Sequence, residues 1–415
     1  MRTRTSPKRK GIMRPTADGS EFRLAYARTG PVLLEDQRTQ GTPMVVIPGG
    51  PGVGSLVPYA SLMSWAERSN IDLIMVEHRG VGFSRKAAHG KALTQQDMWL
   101  RLVVEDIEQV LNAEGIRQAV IYGASYGSYV AQLFAVTHPE RVSGLVLDSP
   151  VMGAGDYADI RAHARDLFWD GTHEPTSKIA EKLRCAVEAG CVDQVALGLA
   201  VRMVFNVMGE QGVAQLALLA CRRSGARLIN ALPRAHRLIS NIHGPFVVES
   251  TPVGTIAYRE LNYAPTPDGL PFDPGTEQAE DAESFPSFRG EPADLWSQVP
   301  ELHIPIAILS GAWDLVAPPP NARKLAERCP QAQLIEVPGA GHSFVDARSE
   351  MVRELLQVVG ERGVEGLREH HDRLEDLGAK VPPFSMPRAV RLLLGSVRIM
   401  DAMSRASHGW RQRMG

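Results

Sequence analysis

The sequence predicts an α/β fold with a mostly parallel central sheet, interrupted by a helical insertion. Short apolar runs of the kind that form buried strands alternate with helical patterns before residue 150 and again after residue 300. Between them, from Val151 to about Pro300, amphipathic stretches follow one another and no strand pattern occurs. Strands separated by helices pair in parallel through right-handed crossovers, so the two outer parts are expected to share one sheet.

The same patterns divide the chain into four parts. Residues 1–150 form the first part of the sheet-bearing core, and residues 301–360 complete it. Residues 151–300 are expected to form a mainly helical cap over the sheet, and residues 361–415 a helical C-terminal extension. The expected strands are the apolar runs 22–27, 43–48, 71–76, 118–122, 144–148, 304–310 and 333–337.

A serine motif lies between a strand pattern and a helix pattern. Gly123-Ala-Ser-Tyr-Gly127 matches G-x-S-x-G, follows the apolar run 118–122 and precedes the helical spacing of residues 128–136. A serine in a glycine-rich turn is often only a turn residue. In a strand-turn-helix context, however, this motif is the nucleophile elbow, which exposes the serine hydroxyl at the edge of a sheet. Ser125 is therefore the candidate nucleophile.

Two further polar residues follow late strands and complete a catalytic set. Asp314 comes after the run 304–310 and His342 after the run 333–337, and the carboxyl ends of parallel strands meet at one edge of a sheet. A histidine can remove the proton of Ser125 if a carboxylate orients it. Asp148 and His78 also follow strands, but the order Ser, Asp, His favours Asp314 and His342.

This order is the one that α/β-hydrolases use, so we predict the α/β-hydrolase fold with a helical cap inserted after the sixth strand. The oxyanion of a tetrahedral intermediate needs preorganised N–H donors. The amide after the nucleophile, that of Tyr126, is one candidate, and an amide of the Gly49–Gly50 turn is the other. Pro48 has no N–H group and is excluded.

Composition excludes several other classes of function. The formal net charge of the 415 residues is -2, which indicates neither nucleic acid nor a membrane surface as partner. No signal-peptide pattern and no run long enough to span a bilayer occur, so we expect a cytoplasmic protein. The four cysteines lack the spacing of a metal site, and neither a metal nor another cofactor is expected. The basic residues among the first fourteen are interpreted as a solvated terminus.

Taken together, the motifs resemble the proline iminopeptidase and tripeptidyl aminopeptidase family of α/β-hydrolases. That family carries His-Gly-Gly-Pro-Gly, Asp-Gln-Arg-Gly-x-Gly-x-Ser, Gly-Gly-Ser-[Trp/Tyr]-Gly, Gly-x-x-Asp and Gly-x-Gly-His. The counterparts in this chain are Pro48-Gly-Gly-Pro-Gly52, Glu77-His-Arg-Gly-Val-Gly-Phe-Ser84, Gly123-Ala-Ser-Tyr-Gly127, Gly311-Ala-Trp-Asp314 and Gly339-Ala-Gly-His342. Pro48 stands where the family has histidine, and Glu77-His78 stands where it has Asp-Gln.

The resemblance implies an exopeptidase that removes residues from free N-termini and binds the substrate amine with acids of the cap. In tripeptidyl-type members the acid belongs to a Cys-Asn-[Asp/Glu] segment, and Ile256-Ala-Tyr-Arg-Glu260 is similar in placement. Glu260 is therefore a candidate substrate-binding residue, with a solvated or salt-bridged glutamate as the alternative.

Three functions remain open at this stage. The first is an aminopeptidase-like serine hydrolase that acts through an acyl-enzyme on a small peptide. The second is an esterase, lactonase or thioesterase for a small molecule of specialised metabolism, since the oxyanion loop and the cap depart from the family pattern. The third, a non-catalytic binding protein, would be expected to lack part of the triad, which is intact here. The oligomeric state is open, a homo-oligomer included.

Overall fold

Eight strands form one mixed sheet in the computed structural model, which describes residues 8–30, 41–240, 246–249 and 251–380. The strands are β1 (Arg9–Pro15), β2 (Glu21–Arg28), β3 (Met44–Ile47), β4 (Leu73–Val76), β5 (Ala119–Ala124), β6 (Val142–Asp148), β7 (Ile306–Gly311) and β8 (Ala332–Val337). Their spatial order is β1-β2-β4-β3-β5-β6-β7-β8. The pairs β1–β2 and β2–β4 are antiparallel, and all other neighbours are parallel.

Helices connect the parallel strands and make up the insertion between β6 and β7. Those before the insertion are α1 (Ala60–Arg68), α2 (Leu100–Ala113) and α3 (Tyr126–Thr137). The insertion holds α4 (Asp156–Phe168), α5 (Ser177–Glu188), α6 (Gln194–Ala220), α7 (Arg223–Ser240), α8 (Gly254–Leu261), α9 (Pro274–Ala282) and α10 (Leu295–Gln298). After it come α11 (Pro319–Arg328), α12 (Phe344–Ala347), α13 (Ser349–Arg362) and α14 (His371–Ala379).

Helices cover both faces of the sheet at its centre, which explains why the central strands β3 and β4 are apolar at every position. Along β3, Val45 and Ile47 pack with helices α2 and α3, whereas Met44 and Val46 pack with α1 and α13. Successive side chains of a strand point to opposite faces, so a strand covered on both faces must be apolar at every position.

The insertion has a hydrophobic core of its own. Buried residues of α4, α5, α6 and α7, among them Phe168, Leu183 and Phe205, form this cluster. Leu315 and Trp313, which follow β7, pack into the same cluster. The chain that returns to the sheet is therefore attached to the insertion by its side chains.

One expectation about the N-terminus is wrong. We expected the first fourteen residues to be a solvated terminus, but Arg9–Pro15 forms β1 and pairs with β2. The basic side chains hold this edge strand to α2, because Arg14 Nε lies 2.7 Å from Asp106 Oδ1 and Lys10 Nζ lies 2.8 Å from Glu114 Oε1. At the other end, residues 381–415 of the predicted helical C-terminal extension lie outside the described residues.

Within the described ranges, no single helix has both the length and the apolarity needed to cross a membrane. The strongly bent pair formed by α6 and the start of α7 meets those criteria only when its two helices are counted together.

A buried ion pair joins the loop after β4 to α2. Arg79 donates from Nε and Nη2 to the two carboxylate oxygens of Asp106 at 2.7 Å each, and both residues are almost fully buried. Arg14 Nε lies 2.7 Å from the same carboxylate, so the loss of Arg79 leaves the buried Asp106 with one cationic partner instead of two. We expect Arg79→Met to lower the free energy of unfolding by about 3 kcal/mol, the lower end of the range for a broken buried pair, in urea denaturation.

The matched control is Arg323→Met, which removes the same kind of side chain from an exposed pair with Glu336. Exposed pairs contribute little, so we expect a loss below about 1 kcal/mol there. Equal losses in the two variants would contradict the importance of the buried pair.

Candidate active site

Ser125 lies on a sharp turn between β5 and α3. Its φ of 53° falls in the left-handed region, which is strained for a residue other than glycine. The Ser125 N–H donates to the carbonyl oxygen of Asp148 at 2.8 Å, and this bond ties the turn to the neighbouring strand β6. Such a turn lifts the serine side chain clear of the sheet edge, as the nucleophile elbow requires.

The glycines on either side of Ser125 are required by close packing. A Cβ at Gly123 would overlap the carbonyl oxygen of Gly127, and a Cβ at Gly127 would overlap that of Ile47 on β3. The turn can therefore be this tight only if both positions lack a side chain. Steric contacts thus explain why the motif has glycine at both positions.

Hydrogen bonds connect Ser125, His342 and Asp314 in series. Ser125 Oγ lies 2.8 Å from His342 Nε2, and His342 Nδ1 lies 2.7 Å from Asp314 Oδ2. A carboxylate can only accept, so Nδ1 carries the proton and Nε2 accepts from the serine hydroxyl. Asp314 is fully buried, and its Oδ1 accepts from the N–H groups of Val316 at 2.7 Å and Ala317 at 2.9 Å. The structure thus brings together the three residues that the sequence singled out.

The surroundings of His342 change its pKa in two opposing ways. Burial disfavours the imidazolium and lowers the pKa, whereas the charge and hydrogen bond of Asp314 raise it. Burial is the largest single contribution, but Asp314 together with the charges of Asp148 and Asp346 outweighs it, so the pKa of His342 lies above its ordinary value.

Asp148 and His78, the alternatives to Asp314 and His342 in the sequence, form hydrogen bonds with other groups. Asp148 is buried and accepts from Tyr122 Oη at 2.7 Å and from the N–H groups of Phe344 and Val345 at 2.9 Å each. Burial raises the pKa of Asp148 to about 6. Asp148 thus holds the turn after His342, while Asp314 contacts the ring. The alternative histidine, His78, bonds instead to the hydroxyl of Tyr126 and to the carbonyl oxygen of Arg79.

The predicted oxyanion donors lie beside Ser125. Gly49 is so close to Ser125 that a Cβ there would lie 3.3 Å from the serine Cβ, and Gly50 lines the same cavity as Ser125. Tyr126 is the first residue of α3, where an N–H group has no partner within the helix. Among the described residues, the N–H groups of Gly50 and Tyr126 have no acceptor. The oxyanion hole itself stays a prediction.

Glu77 and His78, two of the residues that depart from the family pattern, hydrogen-bond to groups beside the glycine loop and Ser125. Glu77 is buried, and its Oε1 accepts from the N–H of Ser55, close to the glycine loop, at 2.8 Å. His78 Nε2 accepts from the hydroxyl of Tyr126 at 3.0 Å. Burial lowers the pKa of His78 to about 4, so this histidine is neutral and serves as an acceptor.

A cavity of about 360 Å³ opens above Ser125 and His342. The sheet-bearing part of the chain and the insertion between β6 and β7 both contribute to its wall, which is mainly apolar on the side of the insertion. The lining includes Gly50, Val151, Gly153, Asp156, Tyr157, Ile160, Arg202, Leu261, Tyr263, Pro274, Gln278, Leu315 and Val316. Its position makes it the candidate substrate site.

Two charged side chains line this cavity, and motif analysis missed both. Asp156 is 4% exposed; its Oδ2 accepts from the N–H of Met152 at 2.8 Å and its Oδ1 from the indole of Trp296 at 3.3 Å. Burial raises the pKa of Asp156 to about 6. Arg202 pairs through Nη2 with Glu277 at 3.0 Å. The two charges lie on α4 and α6 of the insertion, far apart in sequence, and no motif indicates that they share a site.

Glu260 is not among the residues that line the cavity. Its Oε2 accepts from the N–H of Leu100 at 3.1 Å, at the start of α2, and lies 3.6 Å from Nη2 of Arg259. The geometry therefore corresponds to the salt-bridged alternative. The sequence indicated that Glu260 lies near the site, but it could not indicate in which direction its side chain points.

No group of three or more metal-ligating side chains that could hold an ion occurs in the part of the chain that the structure describes.

The match to a known family agrees with this fold. The family model for the alpha/beta hydrolase fold matches residues 42–179, a range that contains β3 to β6 and Ser125. By this match and by its sheet, the chain has the α/β-hydrolase fold, and the fold predicted from the sequence is confirmed.

Individual relatives are named proline iminopeptidases, which confirms the resemblance seen in the motifs. The proline iminopeptidase of Neisseria meningitidis serogroup A is 34% identical over 113 residues, or 27% of this chain and 34% of the relative. The "Probable proline iminopeptidase" of Leptolyngbya boryana is 24% identical over 308 residues, or 74% of this chain and 83% of the relative. The chain thus matches about a third of the length of the first relative.

Among solved structures, a proline iminopeptidase of Mycobacterium smegmatis superposes with a TM-score of 0.47 at 16% identity. The superposition covers 88% of this chain and 99% of that protein.

The raised pKa of His342 predicts how hydrolysis depends on pH. Neutral His342 is needed to accept the serine proton, so kcat/KM should fall as the pH decreases through the pKa of His342. Asp314→Asn removes the charge that raises this pKa, so the acid limb of the pH profile should move to lower pH. The rate should fall about 10³–10⁴-fold, because the imidazole loses its orienting partner.

The control is Asp159→Asn, the same chemical change at a carboxylate that pairs with Lys324 at the surface. It should leave both the rate and the acid limb in place. An acid limb that does not move in Asp314→Asn would contradict the assigned role of Asp314.

Proposed function

We propose that the protein is a serine hydrolase that forms an acyl-enzyme on Ser125. The observation that carries this proposal is the hydrogen-bonded series of Ser125, His342 and Asp314 at the floor of a cavity. The three residues have the chain order of the α/β-hydrolase fold and the contacts that the chemistry of acyl transfer requires.

In the first half of the reaction, Ser125 Oγ attacks the substrate carbonyl carbon while His342 Nε2 takes the hydroxyl proton. The carbonyl π electrons move to oxygen, and the N–H groups of Tyr126 and the Gly49–Gly50 turn stabilise this oxyanion. One such donor typically contributes about 10²–10³ in kcat. His342 then gives its proton to the leaving group as the carbonyl carbon–leaving-group bond breaks.

In the second half, water attacks the acyl-enzyme, with His342 again acting as the base. The proton returns from His342 to Ser125 Oγ as the acid is released, which restores the starting state. Throughout, Asp314 keeps Nδ1 protonated and stabilises the imidazolium.

For the substrate, we propose an aminopeptidase-like reaction that releases N-terminal residues from peptides. The motif set and the relatives named proline iminopeptidase support this proposal. The substrate amine needs an acid in the cavity, and we assign this role to Asp156. It is the only acid among the described lining residues, whereas the carboxylate of Glu260 bonds elsewhere. A carboxylate has about four acceptor positions, so Asp156 can accept from an ammonium in addition to its present donors.

Hydrolysis of an ester, lactone or thioester is the second candidate, and the cavity wall favours it in one respect. Both oxygens of Asp156 already accept hydrogen bonds, whereas Arg202 places a cation in the lining. A guanidinium repels an ammonium and binds carbonyl or carboxylate oxygens. A substrate without a free amine would meet no unfavourable charge there.

A paired substrate panel separates the two candidates. It contains free-amine and N-acetylated alanyl and prolyl arylamides, together with short p-nitrophenyl esters. We expect hydrolysis of the free-amine arylamides, with kcat/KM about 10- to 100-fold above the acetylated forms, because acetylation removes a charged hydrogen bond. All activity should be lost in Ser125→Ala.

Two further variants test the amine-binding residue with the same panel. Asp156→Asn should raise KM for the free-amine substrates and leave the acetylated ones unaffected, whereas Glu260→Gln, the matched acid outside the cavity, should change neither. Turnover of esters alone would replace the peptidase proposal by the second candidate. Turnover that survives in Ser125→Ala would contradict the mechanism in both forms.

A further inference from the structure

The cap helix α6 contacts the loop that carries His342. The backbone N–H of His342 donates to Oδ1 of Asn206, which lies in the middle of that helix. The preceding residue, Gly341, packs so closely on Asn206 that a Cβ would overlap its side chain and its carbonyl oxygen. The position of the histidine loop is therefore defined by a cap residue as well as by β8.

The same helix contacts the loop that carries Asp314. One turn after Asn206, Gly209 has a φ of 59° and interrupts the helical backbone inside α6. The indole of Trp313 occupies the space where a Cβ of Gly209 would be. Only glycine adopts this conformation at no steric cost and leaves room for the ring. The break in the helical backbone at Gly209 thus makes room for the ring of Trp313, the residue before Asp314.

The two loops are also bonded to each other. The N–H of Trp313 donates to the carbonyl oxygen of Ala340 at 2.8 Å, and Gly311 packs on the backbone of Ala340 and Gly341. Leu315, on the far side of Asp314, is 3% exposed and belongs to the hydrophobic core of the cap. The acid loop, the histidine loop and α6 therefore form one packed unit.

We propose that Asn206 is a positioning residue that acts through His342, and that α6 is part of the frame of the triad. This inference rests on the proposed function, since it assumes that His342 activates Ser125. The imidazole must keep its distances of 2.8 Å to Ser125 and 2.7 Å to Asp314 at the same time. Because Asn206 binds the backbone of the same residue, losing this bond frees the loop to shift, and a displacement of 1 Å costs about 100-fold in rate.

If α6 holds the triad in this way, it is not a lid that opens to admit substrate. If α6 moved away from the sheet, the bond between Asn206 and His342 would break and the ring of Trp313 would lose its contact with Gly209. Substrate must then reach the cavity past other parts of the cap, while α6 stays in place during turnover.

The test is the second-order rate at which a small fluorophosphonate modifies Ser125, because this reaction needs no knowledge of the natural substrate. Asn206→Ala should lower this rate about 10- to 100-fold. Asn206→Asp keeps an acceptor for the His342 N–H and should restore most of the rate at high pH. Its added carboxylate favours the imidazolium, so the acid limb of the pH profile should move to higher pH.

The matched control is Asn230→Ala on α7. Oδ1 of Asn230 accepts from the backbone N–H of Asp193 at 2.9 Å, a bond of the same kind within the cap but away from the triad. This variant should react at the wild-type rate.

A wild-type rate in Asn206→Ala, or an unshifted acid limb in Asn206→Asp, would overturn the positioning role. If Asn206→Ala does not fold, the acid limb of Asn206→Asp decides alone. Failure of the wild-type protein to react at Ser125 would overturn the proposed function and this inference together. A wild-type protein that reacts, with unaffected Asn206 variants, would overturn the inference only.

Discussion

The strained backbone of Ser125 is the constraint on which the site depends. A φ of 53° is unfavourable for serine and persists only where the surroundings fix it. Here Gly123 and Gly127 allow three backbone segments to meet, and the bond from the Ser125 N–H to Asp148 holds the turn against β6. Everything else at the site is arranged around the position that this turn gives to one hydroxyl group.

The residues of the sheet edge could be predicted from the sequence, because each follows a strand directly. An apolar run fixes a parallel strand, and the first polar residue after it must emerge at the carboxyl edge, so Asp314 and His342 could be placed beside Ser125. Strand β1 was not predicted, because it has no uninterrupted apolar run. Its arginines and lysine are not typical of a strand, and they become favourable only through acids of α2 that lie far away in sequence.

The insertion between β6 and β7 was predictable as a helical region, but the side chains that it contributes to the cavity were not. Helical spacing indicates that a residue such as Glu260 lies on a helix near the sheet, yet its neighbours depend on how that helix packs. The carboxylate turns toward Leu100, whereas Asp156 and Arg202, which no motif marks, reach the cavity. Asn206 is similar, since an asparagine inside a long helix gives no sign that it binds the backbone of His342.

The central claim, that Ser125 is the residue acylated with the help of His342, is tested most directly by trapping the intermediate. The protein is mixed with p-nitrophenyl acetate, quenched in acid and analysed by peptide mass mapping. We predict one acetyl group on the peptide that contains Ser125 in the wild-type protein, and its loss in His342→Ala. Acetylation at another residue, or equal acetylation of Ser125 in both proteins, would contradict the account.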